Sequence, residues 1–373
     1  MRYKFEDIAI NSTAKKKPTT ADKDTYLGLE HLDSGCLTVT RFGSEVAPIG
    51  EKLIMKKGDI LFGKRRAYQK KVAIAPFDGI FSAHGMVLRP KEAVIDKDFF
   101  PLFISSDYFL DAAIKISVGS LSPTINWRDL KELEFDIPTL EVQKRLSKVL
   151  WAMIEAKIAY KELLDLTEQL VKSQFVEMFG DPVVNPMGWE VRNFASLGMW
   201  QSGGTPSRNV PEYFTGDINW YSAGELNERY LKGSLEKITN TAIEKSAAKL
   251  FKAGSMLVGM YDTAALKLGI LVEDSASNQA CANISPNEDV NIVWLYEAIQ
   301  AMKENLLMKR QGCRQRNLSL SLIKSFEVPL PPIELQNQFV DFIKQSDKSK
   351  FELQRTIDAL EATYKSLLRE NLG

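Results

Sequence analysis

The chain has 373 residues, of which 45% are hydrophobic, and its 48 basic residues balance its 48 acidic residues. This length allows two or three domains with separate cores, and the balanced charge means that any nucleic-acid surface must be a local basic patch. No apolar run reaches the ~20 residues of a membrane helix, and the first residues lack the apolar run of a signal peptide, so we expect a cytoplasmic protein without a membrane partner.

Residues 1–138 are predicted to form a first α+β domain. The runs DILFG, KVAIA, GMVLRP and ELEFDIP are short, rich in β-formers and bounded by Gly, Pro and Asp. The stretch KDFFPLFISSDYFLDAAIKI has the apolar spacing of a helix.

This domain contains a basic segment, 52–71, in which Asp59 is the one acid. Lysine and arginine neutralise phosphates, and a tyrosine among them adds a planar side chain, so the segment predicts a DNA-binding surface. The alternative is a charged face that contacts only solvent. The candidate DNA-binding residues are Lys56, Lys57, Lys64, Arg65, Arg66, Tyr68, Lys70 and Lys71.

A first long helix is predicted over 139–179, followed by a linker at 180–188 in which Gly180 and Pro182 end the helix. Its apolar positions alternate steps of three and four, as in a coiled coil. The predicted seam consists of Leu146, Val149, Met153, Ala156, Tyr160, Leu163, Thr167 and Leu170.

A second α+β domain is predicted over 189–331 because the first domain recurs there. Subtracting positions gives 193 for Pro331 and Pro138, for Glu334 and Glu141, and for Gln336 and Gln143. KKGDILFG at 56–63 parallels FKAGSMLVG at 251–259, which indicates a tandem duplication with small changes in loop length. A second basic patch, KRQGCRQR, adds four candidates for DNA binding: Lys309, Arg310, Arg314 and Arg316.

The second copy also ends in a long helix, 332–373, with apolar residues at Leu353, Ile357, Leu360, Tyr364 and Leu367. A second helix can bury its seam on the first only by running back along it. We therefore expect an antiparallel coiled coil with pseudo-two-fold symmetry, although two unrelated surface helices would show similar spacing.

The residues of a catalytic site are missing from the sequence. The two histidines are far apart, the three cysteines form no CxxC pair, and the acidic residues show no recurring pair typical of a nuclease. The SGGTPS segment at 202–207 lacks the GK[ST] of a phosphate loop. We expect no metal site and no cofactor.

Together, the motifs resemble the specificity subunit of type I restriction-modification systems over essentially the whole chain. The resemblance depends on P-x-x-E-x-Q at 138–143 and 331–336, on FVEMFGDPVVNPMGWEV at 175–191, on GDILFGKRRAYQKKVAIAPFDGIFSAHGMVLRPK in the first domain and on SGGTPSRNVPEYFTGDINWYSAGEL in the second.

This resemblance implies a non-catalytic subunit in which two target recognition domains each recognise half of a bipartite double-stranded DNA target. It implies that the helices set the spacer between the halves and dock two methyltransferase (modification) subunits that bind S-adenosylmethionine, alongside motor and nuclease (restriction) subunits. Because GMYDTAALK stands in the second domain where GKRRAYQKK stands in the first, the two domains are expected to recognise different bases.

The first long helix has more apolar residues than one seam can bury, which predicts contact with partner helices. The alternative is that these residues pack under the chain's own domains. Two other functions remain open: a duplicated coiled-coil scaffold that binds only proteins, and a self-sufficient DNA methyltransferase or nuclease. The candidate partner-binding residues are Trp151, Ile154, Ile158, Leu166, Phe175 and Phe179.

Overall fold

A computed structural model describes residues 1–309 and 317–372. The chain divides into two compact units: unit 1 contains Met1–Lys161 and Arg355–Gly373, and unit 2 contains Glu162–Gln354. The predicted domains 1–138 and 189–331 lie within units 1 and 2, and each unit also includes part of both long helices.

Unit 1 contains three sheets, with strand orders β2-β9-β6-β7, β3-β5-β8-β4 and β1-β10. Its strands are β1 (Arg2–Lys4), β2 (Ala9–Ser12), β3 (Lys15–Lys16), β4 (Tyr26–Leu27), β5 (Lys52–Met55), β6 (Ile60–Phe62), β7 (Val72–Ile74), β8 (Gly79–Phe81), β9 (Met86–Pro90) and β10 (Glu134–Asp136). Its helices are α1 (Phe5–Ile8), α2 (Phe100–Ile104), α3 (Asp107–Lys115), α4 (Trp127–Leu130) and the first part of α5 (Leu140–Phe179).

Unit 2 contains sheets with strand orders β12-β19-β16-β17-β14, β15-β13-β18 and β11-β20. Its strands are β11 (Glu190–Asn193), β12 (Gly198–Ser202), β13 (Ile218–Tyr221), β14 (Tyr230–Leu231), β15 (Glu236–Ile238), β16 (Met256–Gly259), β17 (Leu268–Leu271), β18 (Ala276–Ser277), β19 (Cys281–Pro286) and β20 (Glu327–Leu330). Its helices are the second part of α5, α6 (Asn240–Lys245), α7 (Ile292–Met308), α8 (Leu320–Lys324) and the first part of α9 (Ile333–Leu372), whose remainder lies in unit 1.

The shared order β2-β9-β6-β7 and β12-β19-β16-β17 confirms the duplicated α+β fold. In both copies the central strand is buried on both faces. Ile60 and Phe62 of β6 belong to one hydrophobic cluster while Leu61 belongs to another, and β16 divides Met256, Val258 and Leu257 in the same way. Because successive side chains of a strand point to opposite faces, such a strand is a continuous apolar run in the sequence.

The repeated glutamine at the start of each long helix has the same structural task in both units. Gln143 is fully buried; its amide group donates to the carbonyl oxygens of Pro138 (2.8 Å) and Val94 (3.0 Å), and its Oε1 accepts from the N–H of Asp96 (2.7 Å). In unit 2, Gln336 repeats all three bonds.

The unit 2 bonds run to the carbonyl oxygens of Pro331 (2.8 Å) and Asp289 (3.0 Å) and from the N–H of Asn291 (2.8 Å). Asn291 in turn caps α7 by accepting from the N–H of Val293. The P-x-x-E-x-Q motif therefore joins the beginning of each long helix to the globular part of its own unit.

Within each unit, α5 and α9 run antiparallel. In unit 1, Lys157 forms an ion pair with Glu361 (2.5 Å), and Leu146 shares a core cluster with Leu368 and Leu372. In unit 2, Lys350 lies 3.7 Å from Glu168, and the ring of Phe175 packs edge-on against that of Phe339. In both ion pairs the residue numbers add to 518, so both units have the same antiparallel register.

Part of the predicted α5 seam is wrong. Val149, Leu163 and Leu170 are 45%, 46% and 53% exposed, and their apolar successors Leu150, Leu164 and Val171 are more buried. The spacing of the second helix is confirmed, because all five predicted seam residues on α9 are buried or half-buried. Among the described residues, no helix is both long and apolar enough to cross a membrane.

Candidate nucleic-acid interface

The basic segment 52–71 does not form one surface, because β6 divides it. Lys56 and Lys57 lie in the turn before β6, where their main-chain N–H groups donate to the carboxylates of Asp59 (2.8 Å) and Asp78 (2.7 Å). Lys64 and the following cations lie beyond the other end of the strand. Asp59, the one acid of the segment, is buried and accepts two bonds from Arg89 (2.7 and 2.8 Å).

The segment after β6, residues 64–71, is named the basic loop. It consists of a 3-10 turn (Ala67–Gln69) between Arg66 and Lys70, whose φ angles of 54° and 48° are left-handed. Its counterpart in unit 2, residues 260–267, has left-handed φ angles at Asp262 (49°) and Leu266 (54°). Since side chains other than glycine disfavour this region, the shared strain indicates that the surroundings impose the same loop backbone in both units.

Two lysines of the basic loop are held by internal contacts. Lys70 forms ion pairs with Asp107 (2.7 Å) and Asp111 (2.8 Å), and the ammonium group of Lys71 donates to the carbonyl oxygen of Leu29 (2.6 Å). The unit 2 equivalent of Lys71 is Lys267, which donates to the carbonyl oxygen of Gly224 (3.3 Å) and to Asn227 (2.8 Å). The ammonium groups of Lys70 and Lys71 thus have partners within unit 1, and their contact with DNA stays a prediction.

The basic loop contacts a second segment, residues 117–124, which is named the companion loop. Arg65 Nε donates to Ser122 Oγ (3.1 Å), and the N–H of Ala67 donates to the carbonyl oxygen of Pro123 (3.3 Å). Just after the companion loop, the N–H of Ile125 donates to the carbonyl oxygen of Lys64 (2.9 Å). These bonds hold the two loops side by side.

Lys52, Lys64 and Arg65 lie near His84, and Lys15 lies near Lys64; these four cations are named the cation cluster. Arg65 Nη1 lies 3.3 Å from His84 Nε2. Burial and then the charges of Arg65, Lys64 and Lys52 lower the pKa of His84. Burial and then the charge of Lys15 lower the pKa of Lys64.

Within residues 1–309 and 317–372, no member of the cation cluster forms an ion pair with an acidic side chain. Crowded cations raise each other's electrostatic energy, so this surface favours an anion that neutralises them. Lys52 belongs to the basic segment but was not among the candidate residues, and Lys15 was missed because it lies far from that segment in sequence. It is brought there by the pairing of β3 with β5, in which Lys15 is opposite Leu53.

Beside the cation cluster is a cleft of ≈350 Å³ lined by Asn11, Ser12, Lys15, Lys64, Asn126 and Trp127, among others. Amide, hydroxyl and ammonium groups can bind phosphate oxygens, and an indole offers a flat apolar surface. Arg66 and Tyr68 are exposed on the basic loop itself. This arrangement suits a polyanion with planar groups.

The equivalent surface of unit 2 is less basic. Met260, Tyr261 and Asp262 stand where unit 1 has Lys64, Arg65 and Arg66. Tyr261 is 40% exposed, whereas Met260 is buried in the core of unit 2. The ammonium group of Lys309 lies 5.8 Å from the ring centre of Phe326. Arg310, Arg314 and Arg316 lie outside the described residues.

The candidate partner-binding residues of α5 separate into two groups. Phe175 and Phe179 are each 3% exposed in the core of unit 2, so the prediction that they face partners is corrected. Trp151 and Ile154 pack against the core of unit 1, and Trp151 Nε1 donates to the carbonyl oxygen of Asp98 (2.8 Å).

Ile158 (42%) and Leu166 (56%) are exposed. In unit 2, Leu166 lies between the exposed Leu163 and Leu170 at helical spacing. These three residues are named the leucine stripe.

A metal centre is not found in the part of the chain that the structure describes: no three His, Cys, Asp or Glu residues there are placed to hold an ion.

Comparison with known proteins gives consistent matches. The family model of the type I restriction modification DNA specificity domain matches residues 14–168 and again 186–362. The chain is 25% identical over 164 residues to the specificity subunit of the type I restriction enzyme EcoR124I/EcoR124II of Escherichia coli. That alignment covers 42% of this chain and only 41% of the relative.

A second relative is the specificity subunit of the type I restriction enzyme HindI of Haemophilus influenzae. It is 22% identical over 422 residues, which cover 89% of this chain and 90% of the relative. Among solved structures, one from a study of complex assembly and conformational transition of the type I R-M system matches with a TM-score of 0.66 and 16% identity. The match covers 100% of this chain and 97% of that one, and it shows a shared fold.

Proposed function

Because the chain belongs to the family of type I restriction modification DNA specificity domains, of which it contains two in tandem, we propose that it is the DNA-recognition subunit of a type I restriction-modification complex. Each domain recognises one half of a bipartite, asymmetric double-stranded target. The observation that carries this proposal is the cation cluster beside one cleft, a set of four basic side chains without acidic partners among the described residues.

The two units differ in the side chains that they present to DNA. The basic loop and its unit 2 counterpart share their left-handed φ angles, but the exposed side chains that follow the central strand are Arg65 and Arg66 in unit 1 and Tyr261 and Asp262 in unit 2. Phosphate contacts fix the register of a protein on the duplex, and different side chains at base edges give different specificities. A shared backbone with different side chains therefore supports an asymmetric target.

The proposed partners are two methyltransferase subunits that bind S-adenosylmethionine, together with motor and nuclease subunits, while this chain catalyses neither reaction. The leucine stripe supports a helical partner, because three leucines that are about half exposed on one side of α5 form an apolar surface. Ile158 remains a further candidate contact.

The long helices are proposed to set the spacer between the half-sites. Each is continuous for 40 residues, roughly 60 Å, and contributes to both units. The common register makes a matched deletion possible: removal of 156–162 from α5 with 356–362 from α9 deletes Lys157 and its partner Glu361 together.

That deletion preserves the heptad phase and shortens each helix by about 10 Å, equivalent to roughly three base pairs. Methylome sequencing of cells expressing the deleted chain should show a spacer shorter by that amount. If a folded deletion variant methylates sites with the original spacer, the helices do not determine the spacer.

The DNA-binding proposal is tested on the assembled complex with the target that methylome sequencing identifies. K64A/R65A is expected to weaken binding and to make the salt dependence shallower by up to ~0.9 log unit per log salt for each lost phosphate contact. K56A/K57A is the matched control, since it removes the same charge at the other end of β6. Equal effects of the two double variants would contradict the assignment of DNA binding to the cation cluster.

The same assays distinguish the other candidate functions. A scaffold that binds only proteins would capture the methyltransferase subunit without DNA binding by the complex. A self-sufficient enzyme would methylate or cleave DNA as a purified single chain with S-adenosylmethionine, ATP and magnesium, and either result would refute the proposal.

A further inference from the structure

Leu121, at the tip of the companion loop, is 93% exposed, and Val118 of the same loop is 65% exposed. We propose that Leu121 is an apolar wedge that inserts between neighbouring base pairs of the half-site bound by unit 1. This inference rests on the proposed function, because it requires unit 1 to bind double-stranded DNA.

Hydrogen bonds within the companion loop fix its conformation. Val118 and Thr124 exchange two main-chain hydrogen bonds of 3.0 and 2.9 Å, and Gly119 adopts a φ of 113°, which favours glycine. Thr124 Oγ1 donates to the carbonyl oxygen of Ser122 (3.1 Å). A loop fixed in this way keeps Leu121 in water although a polar residue would be solvated better.

The cations near the companion loop favour DNA over a protein as the partner that covers Leu121. Ser122, the neighbour of Leu121, accepts a hydrogen bond from Arg65, and Arg65 belongs to the cation cluster. A protein partner that covered Leu121 with an apolar surface would also desolvate nearby cations at high cost. DNA avoids this cost, because its phosphates neutralise the cations while the faces of its bases accept an apolar side chain.

Leucine is one of the side chains that proteins insert between base steps, often beside arginine or lysine, and such insertion kinks the duplex by roughly 20–90°. Recognition would then include the ease with which the inserted step unstacks, which differs between sequences. The position equivalent to Leu121 in unit 2, at the offset of 193, is an arginine in the sequence. The wedge is therefore expected in one half-site only.

The test uses the assembled complex and duplexes in which 2-aminopurine replaces one base of the target at a time. With the unaltered chain, fluorescence should rise at one step of the half-site bound by unit 1, because the probe unstacks there. L121A should abolish this rise, reduce the bend measured by energy transfer between the duplex ends, and weaken binding about tenfold. Its salt dependence should not change, because leucine contacts no phosphate.

Leu235 provides the matched control, since it is a leucine 88% exposed in unit 2, and L235A should behave as the unaltered chain. Because Leu121 has few contacts in the free protein, L121A should fold normally. If L121A binds, bends and unstacks the duplex as the unaltered chain does, the wedge is refuted. The proposed function survives that result as long as K64A/R65A still lowers the salt dependence; failure of the unaltered complex to bind DNA would refute both.

Discussion

Replacement of Arg229 by methionine is expected to lower the free energy of unfolding of unit 2 by about 3–5 kcal/mol, as for removal of one partner from a buried ion pair. The guanidinium of Arg229 (15% exposed) donates to Glu297 on α7 (2.7 Å; 12% exposed) and to both oxygens of Asp347 on α9 (2.9 and 2.8 Å; 31% exposed). The substitution leaves Glu297 buried and uncompensated. Asp347 contributes less because it retains contact with water. Loss of the cation–π contact with Tyr296 (5.7 Å) adds about 0.5–2 kcal/mol.

The loss of stability should depend on pH. Burial raises the pKa of Glu297 against the opposing effect of Arg229, so removing the guanidinium raises the pKa of this carboxyl further. A carboxyl whose folded pKa exceeds its unfolded value binds more protons in the folded state, and its unfavourable contribution grows as the pH rises through the folded pKa. R229M should therefore be closest to the unaltered protein below the ordinary glutamate pKa of 4.5 and should lose stability progressively above it.

Hydrogen exchange of amides in α7, measured by mass spectrometry against pH, reports the stability of unit 2 separately from that of unit 1. Arg192→Met is the control, because Arg192 is 34% exposed and its pair with Glu190 should contribute less than about 1 kcal/mol. R229M/E297Q should recover much of the loss, since it removes the buried charge. If R229M is as stable as R192M, or if its deficit is independent of pH, the triad does not stabilise unit 2 by charge pairing.

Two further predictions use features of single units. Q143M and Q336M should each lower the free energy of unfolding of only their own unit by about 2–4 kcal/mol, because each leaves buried main-chain groups without a partner. Hydrogen exchange near α2 and α7 should separate the two effects. A loss of protection in both units from either change would contradict the idea of two equivalent local anchors. DNA phosphates should raise the lowered pKa of His84. Binding should therefore take up a proton and strengthen as the pH falls from the raised pKa of the bound protein toward the lowered pKa of the free protein, which lies below the ordinary histidine value near 6.5. H84Q should remove this part of the pH dependence, and an unchanged profile would place the phosphates away from His84.

The sequence predicted the duplication and the two long helices, but the seam of α5 could not be resolved from hydrophobicity. At 149–150, 163–164 and 170–171 two apolar residues are adjacent, so either member fits a three-four spacing. The choice depends on the contacts that α5 makes with α9 and with the globular core. On α9, polar residues mostly flank the seam positions, and the spacing alone selected residues that are buried or half-buried.

The candidate site was predicted in part for a similar reason. A run of cations in the sequence does not show on which end of a strand each lies, and β6 separates Lys56 and Lys57 from Lys64 and Arg65. The contribution of Lys15 depends on the pairing of β3 with β5, which local sequence does not reveal. Lys71 recurs as Lys267, although every other side chain of the loop differs between the two units. A bond to a main-chain carbonyl oxygen, which both lysines form, explains this recurrence better than contact with a variable DNA sequence.

Comparison of the two copies therefore distinguishes the residues that position the loops, which recur, from the residues proposed to contact DNA, which differ. The repeated features are internal: the fully buried glutamines, the lysines that donate to carbonyl oxygens, and the paired left-handed residues at 66 and 70 and at 262 and 266. The differing side chains include those at Lys64, Arg65 and Arg66 and their unit 2 counterparts, several of them exposed on a backbone of the same conformation. Because the core does not depend on these exposed side chains, substitutions there should alter recognition at little cost in stability. A protein built in this way can acquire two unlike half-site specificities from one ancestral domain without refolding either unit.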